Sequence, residues 1–157
     1  SCGKRWYRKM NRMVMKNHKM KIVFPLEDLL ALVREAISVR KTAVVGTEAV
    51  PVAEERGRLE RLLTQADRAV RGKIAFLLDP AYPFADEEEG RLIYRIVPAS
   101  GMHGALAGMI EQALVESAVC AWFAEAGQDA GNPDRLLEEL KGLALKNDGP
   151  MERKAVK

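Results

Sequence analysis

Two histidines and two cysteines limit the chemistry available to this chain. His18 and His103 stand far apart, and neither lies near Cys2 or Cys120 in sequence. A zinc site needs three or four such ligands, so no metal centre is expected. Ser100, Gly101 and His103 are close together, but the Gly-x-Ser-x-Gly elbow that exposes a nucleophilic serine is missing. His103 is therefore expected to be a surface or capping residue at the start of a helix rather than a general base. Asp86, Glu87, Glu88 and Glu89 offer carboxylates without the alternating spacing or closing bidentate acid of a calcium loop, and they read as a solvated loop. Gly101, Gly104 and Gly108 lack the lysine and preceding strand of a phosphate-binding loop. These residues predict no catalytic, cofactor or metal site, and a chain that is not an enzyme.

Charge is the one polar feature with a direction. The first 21 residues hold eight Lys or Arg and no acid, while residues 22–157 hold 17 basic against 22 acidic residues, a formal charge of −5. The net charge of +3 thus describes a basic arm on a mildly acidic body. Within the arm, Lys4, Arg5, Arg8, Lys9 and Arg12 are interleaved with Trp6 and Tyr7. Cations can neutralise phosphates and aromatic rings can stack on bases, so these seven residues are the candidate nucleic-acid site. The same composition suits an anionic membrane surface or an acidic protein, and also a solvated tail with no partner. Ser1-Cys2-Gly3 admits two other readings, the remnant of a lipoprotein signal or a remnant of cloning, and the arm as a whole admits a third, sequence upstream of a start at Met20.

The elements that would position these groups are mainly helical. The 157 residues predict one domain able to bury a core without staples. Two cysteines are too few for a disulfide framework. Cys120 reads as a small buried apolar residue in a helix, unpaired with Cys2, and a reducing cytoplasm is the default compartment. No apolar run approaches the roughly 20 residues of a spanning helix, so no membrane span is expected.

Folded structure is expected from about Ile22. Phe24-Pro25-Leu26-Glu27-Asp28 reads as a helix start, with proline and acids in the first turn. Leu26, Leu29, Leu30, Val33, Ala36 and Ile37 carry helix one to about Val39. Residues 42–52, β-branched around Gly46, predict an extended loop or edge hairpin. From Ala53 a second helix has Leu59, Leu62, Leu63, Ala66, Val70, Ile74 and Leu77 on one face. Glu54, Glu55, Arg58, Arg61, Arg68 and Arg71 lie mostly on the other, and Asp79-Pro80 ends it. Arg91–Val97 is the strong strand candidate, with Thr42–Val45 or a second copy of the chain as its expected partner.

The longest apolar-periodic segment, from His103 to Ala126, predicts a central helix closed by Gly127. Asn132 as N-cap and Pro133 at the first position open a last helix with Leu136, Leu137, Leu140 and Leu143 on its buried edge. The expected fold is mainly α, about four helices with a C-terminal antiparallel helical hairpin and a minor β element. Residues 1–19 are expected to be a disordered arm, 20–146 a single helical domain and 147–157 a flexible tail.

The helix LERLLTQADRAVRGKI, a spacer with a strand, a long helix ending AWFAEAG and the short helix DRLLEELKGLALK together resemble the small helical head–tail connector proteins of tailed phages and prophages. The resemblance covers residues 53–146, matching at Leu63–Ile74, Ala113–Phe123 and Pro133–Lys146; the strand and the basic arm depart from the pattern. It implies a structural role, assembly as a ring between portal and tail, with no cofactor and no substrate. The expected function is a non-enzymatic assembly protein whose partners are copies of itself or portal and tail proteins, in the cytoplasm or a virion. The alternative is a nucleic-acid-binding protein using the basic arm.

Overall fold

A computed structural model describes residues 20–44, 52–82, 87–97, 103–129 and 131–156. Strand β1 (Met20–Pro25) leads directly into helix α1 (Leu26–Val44). Helix α2 (Val52–Lys73) ends in a 3-10 turn, Ala75–Leu77. The short strand β2 (Glu87–Glu88) and β3 (Arg91–Ile96) precede helices α3 (His103–Glu125) and α4 (Asp134–Val156). The fold is mainly helical with a small antiparallel sheet of order β1-β3-β2.

The sheet corrects three expectations. β3 pairs with Met20–Pro25, not with Thr42–Val45 or a second copy. Within β1 the alternation is strict: Ile22 and Phe24 are buried while Lys21, Val23 and Pro25 face out. Residues 42–44 extend α1, and the rest of the expected loop, 45–51, lies outside the described residues. The acidic run is not all loop, because Glu87 and Glu88 pair with Leu92 and Arg91. Gly90, at φ 71°, supplies the positive φ of that hairpin's turn. The Gly90 carbonyl accepts the Leu26 N–H at 2.9 Å, filling one of the donors that a helix start leaves open.

Beyond β2, the same edge of β3 is held by the residues that follow α2. Leu78 bridges Ile96, the Asp79 N–H donates to the Arg95 carbonyl at 2.9 Å, and the Val97 N–H donates to the Leu77 carbonyl at 2.7 Å.

α3 is the centre, packed against α1, α2 and α4. Leu106, Ile110, Ala113, Leu114, Ala118, Val119, Trp122 and Phe123 are all buried along it. Being lined with apolar residues on several sides, Gly104–Glu125 is long and apolar enough to cross a membrane by length and composition, although half of its most apolar stretch is buried inside this fold. Its C-terminus closes in a Schellman motif. Gln128 N–H donates to the Phe123 carbonyl at 2.9 Å and Gly127 N–H to that of Ala124 at 3.0 Å, with Gly127 at φ 75°. Asn132 Oδ1 then accepts the Asp134 N–H at 3.0 Å, the cap that opens α4. Leu137, Leu140 and Ala144 seat α4 on the core. Its helical backbone runs to Val156, past Lys146 where the apolar periodicity ends.

Candidate functional site

Four charged side chains are buried among the described residues: Glu55, Asp67, Arg71 and Asp79. Three belong to α2, and the pattern reading places two of them, Glu55 and Arg71, on its outer face. Residues 67 and 71 instead fall between Leu63, Ala66, Val70 and Ile74, so one turn of the apolar stripe carries an ion pair. Burying a charge is costly unless it is paired and hydrogen-bonded.

Here both conditions hold. Arg71 Nε donates to Asp67 Oδ2 at 2.9 Å, its terminal nitrogen donates to the Ile93 carbonyl at 2.5 Å, and its guanidinium lies 4.2 Å over the Tyr94 ring. The Tyr94 hydroxyl donates to the other oxygen of Asp67. Arg71 reaches the edge of β3 between the stretch paired with β2 and the bridge at Leu78, so a side chain takes the place of a neighbouring strand. Burial, then the negative charge of Asp67, pushes the Tyr94 hydroxyl well above the usual tyrosine value of 10.0. It stays protonated as a donor. Both Asp67 oxygens are engaged, so this centre fixes α2 against β3 and leaves no base free for a substrate.

A second cluster lies at the other end of α2. Trp122 Nε1 donates to the Glu55 carboxylate. The Arg58 guanidinium lies 5.2 Å and the Lys41 ammonium 5.5 Å from the Trp122 ring centroid. Arg58 and Arg61 both contact the Glu125 carboxylate, at 2.9 and 3.0 Å, and these hydrogen bonds lower its pKa.

A third cluster joins α1 to α3. An Arg40 nitrogen donates to both Glu116 oxygens at 2.7 and 2.6 Å. The Cys120 thiol also donates to Glu116, at 3.6 Å. Burial first, then Glu116, pushes the thiol pKa up. A protonated, buried thiol is a poor nucleophile. Cys120 is buried as the sequence predicts, with a hydrogen bond that the apolar reading does not include.

Ser117 Oγ and Arg34 Nε are buried without a hydrogen-bond partner. The expected arm residues Lys4, Arg5, Trp6, Tyr7, Arg8, Lys9 and Arg12 lie outside the described residues, as do His18 and Ser100. His103 opens α3. Among the described residues no group of three or more His, Cys, Asp or Glu is placed to hold a metal ion. In comparisons with known proteins, no family model, no curated protein and no solved structure matches the chain.

Proposed function

We propose that this chain is a non-enzymatic assembly protein, of the head–tail connector kind that its helical pattern resembles, working through contacts with copies of itself or with portal and tail proteins. One observation carries the reading: each of the four buried charged residues is hydrogen-bonded to a group of this same chain. Glu55 holds Trp122, Asp67 holds Arg71 and Tyr94, and Asp79 Oδ1 accepts the Ala81 N–H at 3.0 Å. Catalytic groups are kept poised toward a substrate, whereas Glu55 joins α2 to α3, the Asp67–Arg71 pair joins α2 to β3 through Tyr94 and the Ile93 carbonyl, and Asp79 closes its own turn.

The surface supports contact with other proteins. Val39, Leu145 and Phe76 are 65%, 51% and 44% exposed on α1, on α4 and in the turn after α2. A copy or partner could bury what remains exposed of such side chains, each worth a fraction of the about 1.5–3 kcal/mol that burying a whole side chain supplies.

The test is light scattering coupled to size-exclusion chromatography of the full chain, alone and with candidate portal and tail proteins. A defined oligomer or a stoichiometric complex is the expected result. A strict monomer that binds none of them would refute the reading. Portal, capsid and tail genes beside its own are the matching genomic expectation.

A further inference from the structure

The exposed residues Asp28, Leu32, Glu35 and Val39 of α1 recur at steps of four, three and four, so they share one side of the helix. Leu29, Leu30, Val33 and Ile37, on the other side, are buried in the core. Leu32 is 36% and Val39 65% exposed. The Asp28 and Glu35 carboxylates make no ion pair among the described residues, whereas Glu27, beside them, is held by Arg56. The outward side of α1 is thus an apolar stripe carrying two uncompensated acids.

A second surface has the opposite sign. α2 and α4 leave between them a groove of about 480 Å³, with Ala69 and Gly72 on one side and Leu137 on the other. An added Cβ at Gly72 meets nothing within 4 Å, so the groove is open there, and small residues let another helix approach closely. Arg68 rims it from α2 and Lys141 from α4, and neither makes an ion pair among the described residues. The remaining cation, Lys73, pairs with Glu138 at 2.6 Å and lies near Asp134. Lys141 also lies near Glu138 without pairing with it. Three cations against two acids leave one positive charge, and the two unpaired cations stand on different walls.

Stripe and groove complement each other in charge and in apolar character, yet they cannot meet within one molecule. α1 and α4 are both seated on α2 and α3, and the stripe points away from that shared core. We infer that the α1 stripe of one copy docks into the α2–α4 groove of the next. Asp28 and Glu35 meet Arg68 and Lys141, while Leu32 and Val39 cover Ala69, Gly72 and Leu137. This rests on the assembly reading and names the surfaces it uses. Because the two patches differ, each copy keeps one of each for a further neighbour, and repetition closes a ring or extends a filament according to the rotation. The charges set orientation and register, and the apolar residues supply the burial.

The experiment is light scattering coupled to size-exclusion chromatography of the full chain over a concentration series at about 50 mM NaCl, where surface charges are weakly screened. The parent should run as an oligomer. D28K/E35K and R68E/K141E should each run as monomers, since each sets like charges against each other at the contact. Mixed one to one, they should assemble again: the reversed stripe of the first fits the reversed groove of the second, and the native stripe of the second fits the native groove of the first. D28K/E35K/R68E/K141E in a single chain should also assemble. Glu111→Lys, at an exposed position on α3, should leave the oligomer as it is. If a double variant does not fold by circular dichroism, Val39→Lys alone should weaken self-association at least about tenfold.

An oligomer that both folded double variants leave intact would overturn the inference while the assembly reading stands. So would monomers rescued neither by mixing nor by the quadruple change, because stripe and groove would then not face each other. A parent that is monomeric alone but binds a portal or tail protein through Arg68 and Lys141 gives the groove to that partner and also overturns it. A monomer that binds nothing overturns both readings.

Discussion

Arg71→Met tests the central claim that the interior charges are structural ties. Asp67 is 1% exposed and Arg71 5%. Removing the guanidinium leaves a buried carboxylate held only by the Tyr94 hydroxyl, and breaking a buried pair from one side costs about 3–5 kcal/mol. The Ile93 carbonyl also loses its donor, although such penalties overlap and do not add. Tyr94→Phe should cost less, about 1.5–3 kcal/mol, because a hydrogen bond to a charged group is lost while Arg71 still neutralises Asp67. The combined variant D67L/R71M/Y94F removes both the charges and the need to satisfy them, and should be more stable than R71M alone. Guanidinium unfolding followed by circular dichroism at pH 7 reads all three. For a chain this long the R71M loss corresponds to a fall in Tm of roughly 10 °C, at about 3 °C per kcal/mol. The reasoning is refuted if R71M lies within 1 kcal/mol of the parent at an unchanged m-value, or if the triple variant is less stable than the single one.

Four further outcomes follow from the same structure. Because the folded state holds Tyr94 protonated above its usual value of 10.0, the unfolded chain gives up that proton first, so stability is unaffected below that pH and falls above it. Melting temperatures between pH 9 and 11.5 should show the loss, with a shallower slope in Tyr94→Phe. Leu114, fully buried on α3, should cost about 2.7–5 kcal/mol as Leu114→Ala, and a melting shift near zero would mean that the apolar stripe is not core. Gly57 lies inside α2 and an added Cβ there meets nothing within 4 Å, so Gly57→Ala should stabilise by about 0.5–1 kcal/mol in denaturant titration. In a Cys2→Ser background, Cys120 should react with iodoacetamide at pH 7.5 at least about tenfold more slowly than free cysteine, and a rate equal to the free amino acid would contradict its burial and raised pKa.

The helices were legible because their signals are local. Leu59 to Val70 repeat at helical spacing, Gly127 marks an αL stop, and Asn132-Pro133 marks a start; the structure places each in that role. β1 was not legible. Its partner Ile96 lies far along the chain from Met20, and its only local trace is the alternation of Ile22 and Phe24, which Pro25 cuts short. Proline beside Glu27 and Asp28 reads equally well as a helix opening, and α1 does begin one residue later. Glu87–Glu88 goes against residue preference, since acids are depleted in strands; the hairpin turn at Gly90 sets that pairing. The buried ion pair had a signal that a hydrophobic count overlooks. Asp67 and Arg71 are four residues apart inside the apolar face, a spacing that brings opposite charges together on one side of a helix.

That placement bears on why α2 tolerates charge in its core at all. A purely apolar stripe on α2 could slide by a turn against α3 and the sheet with little penalty, since leucines tolerate many neighbours. Asp67–Arg71 meets its needs only where Tyr94 and the Ile93 carbonyl coincide, and Glu55 only where Trp122 presents its N–H. The two ties sit in different halves of the same helix, one against the sheet and one against α3. Together they define the position of α2 along its axis and its rotation about it, at a cost in stability that an all-hydrophobic core would avoid. D67L/R71M/Y94F should then keep its helix content while its amide spectrum broadens around Leu63, Ala66 and Val70. Sharp, singly populated resonances there would mean that apolar packing alone sets the register of α2.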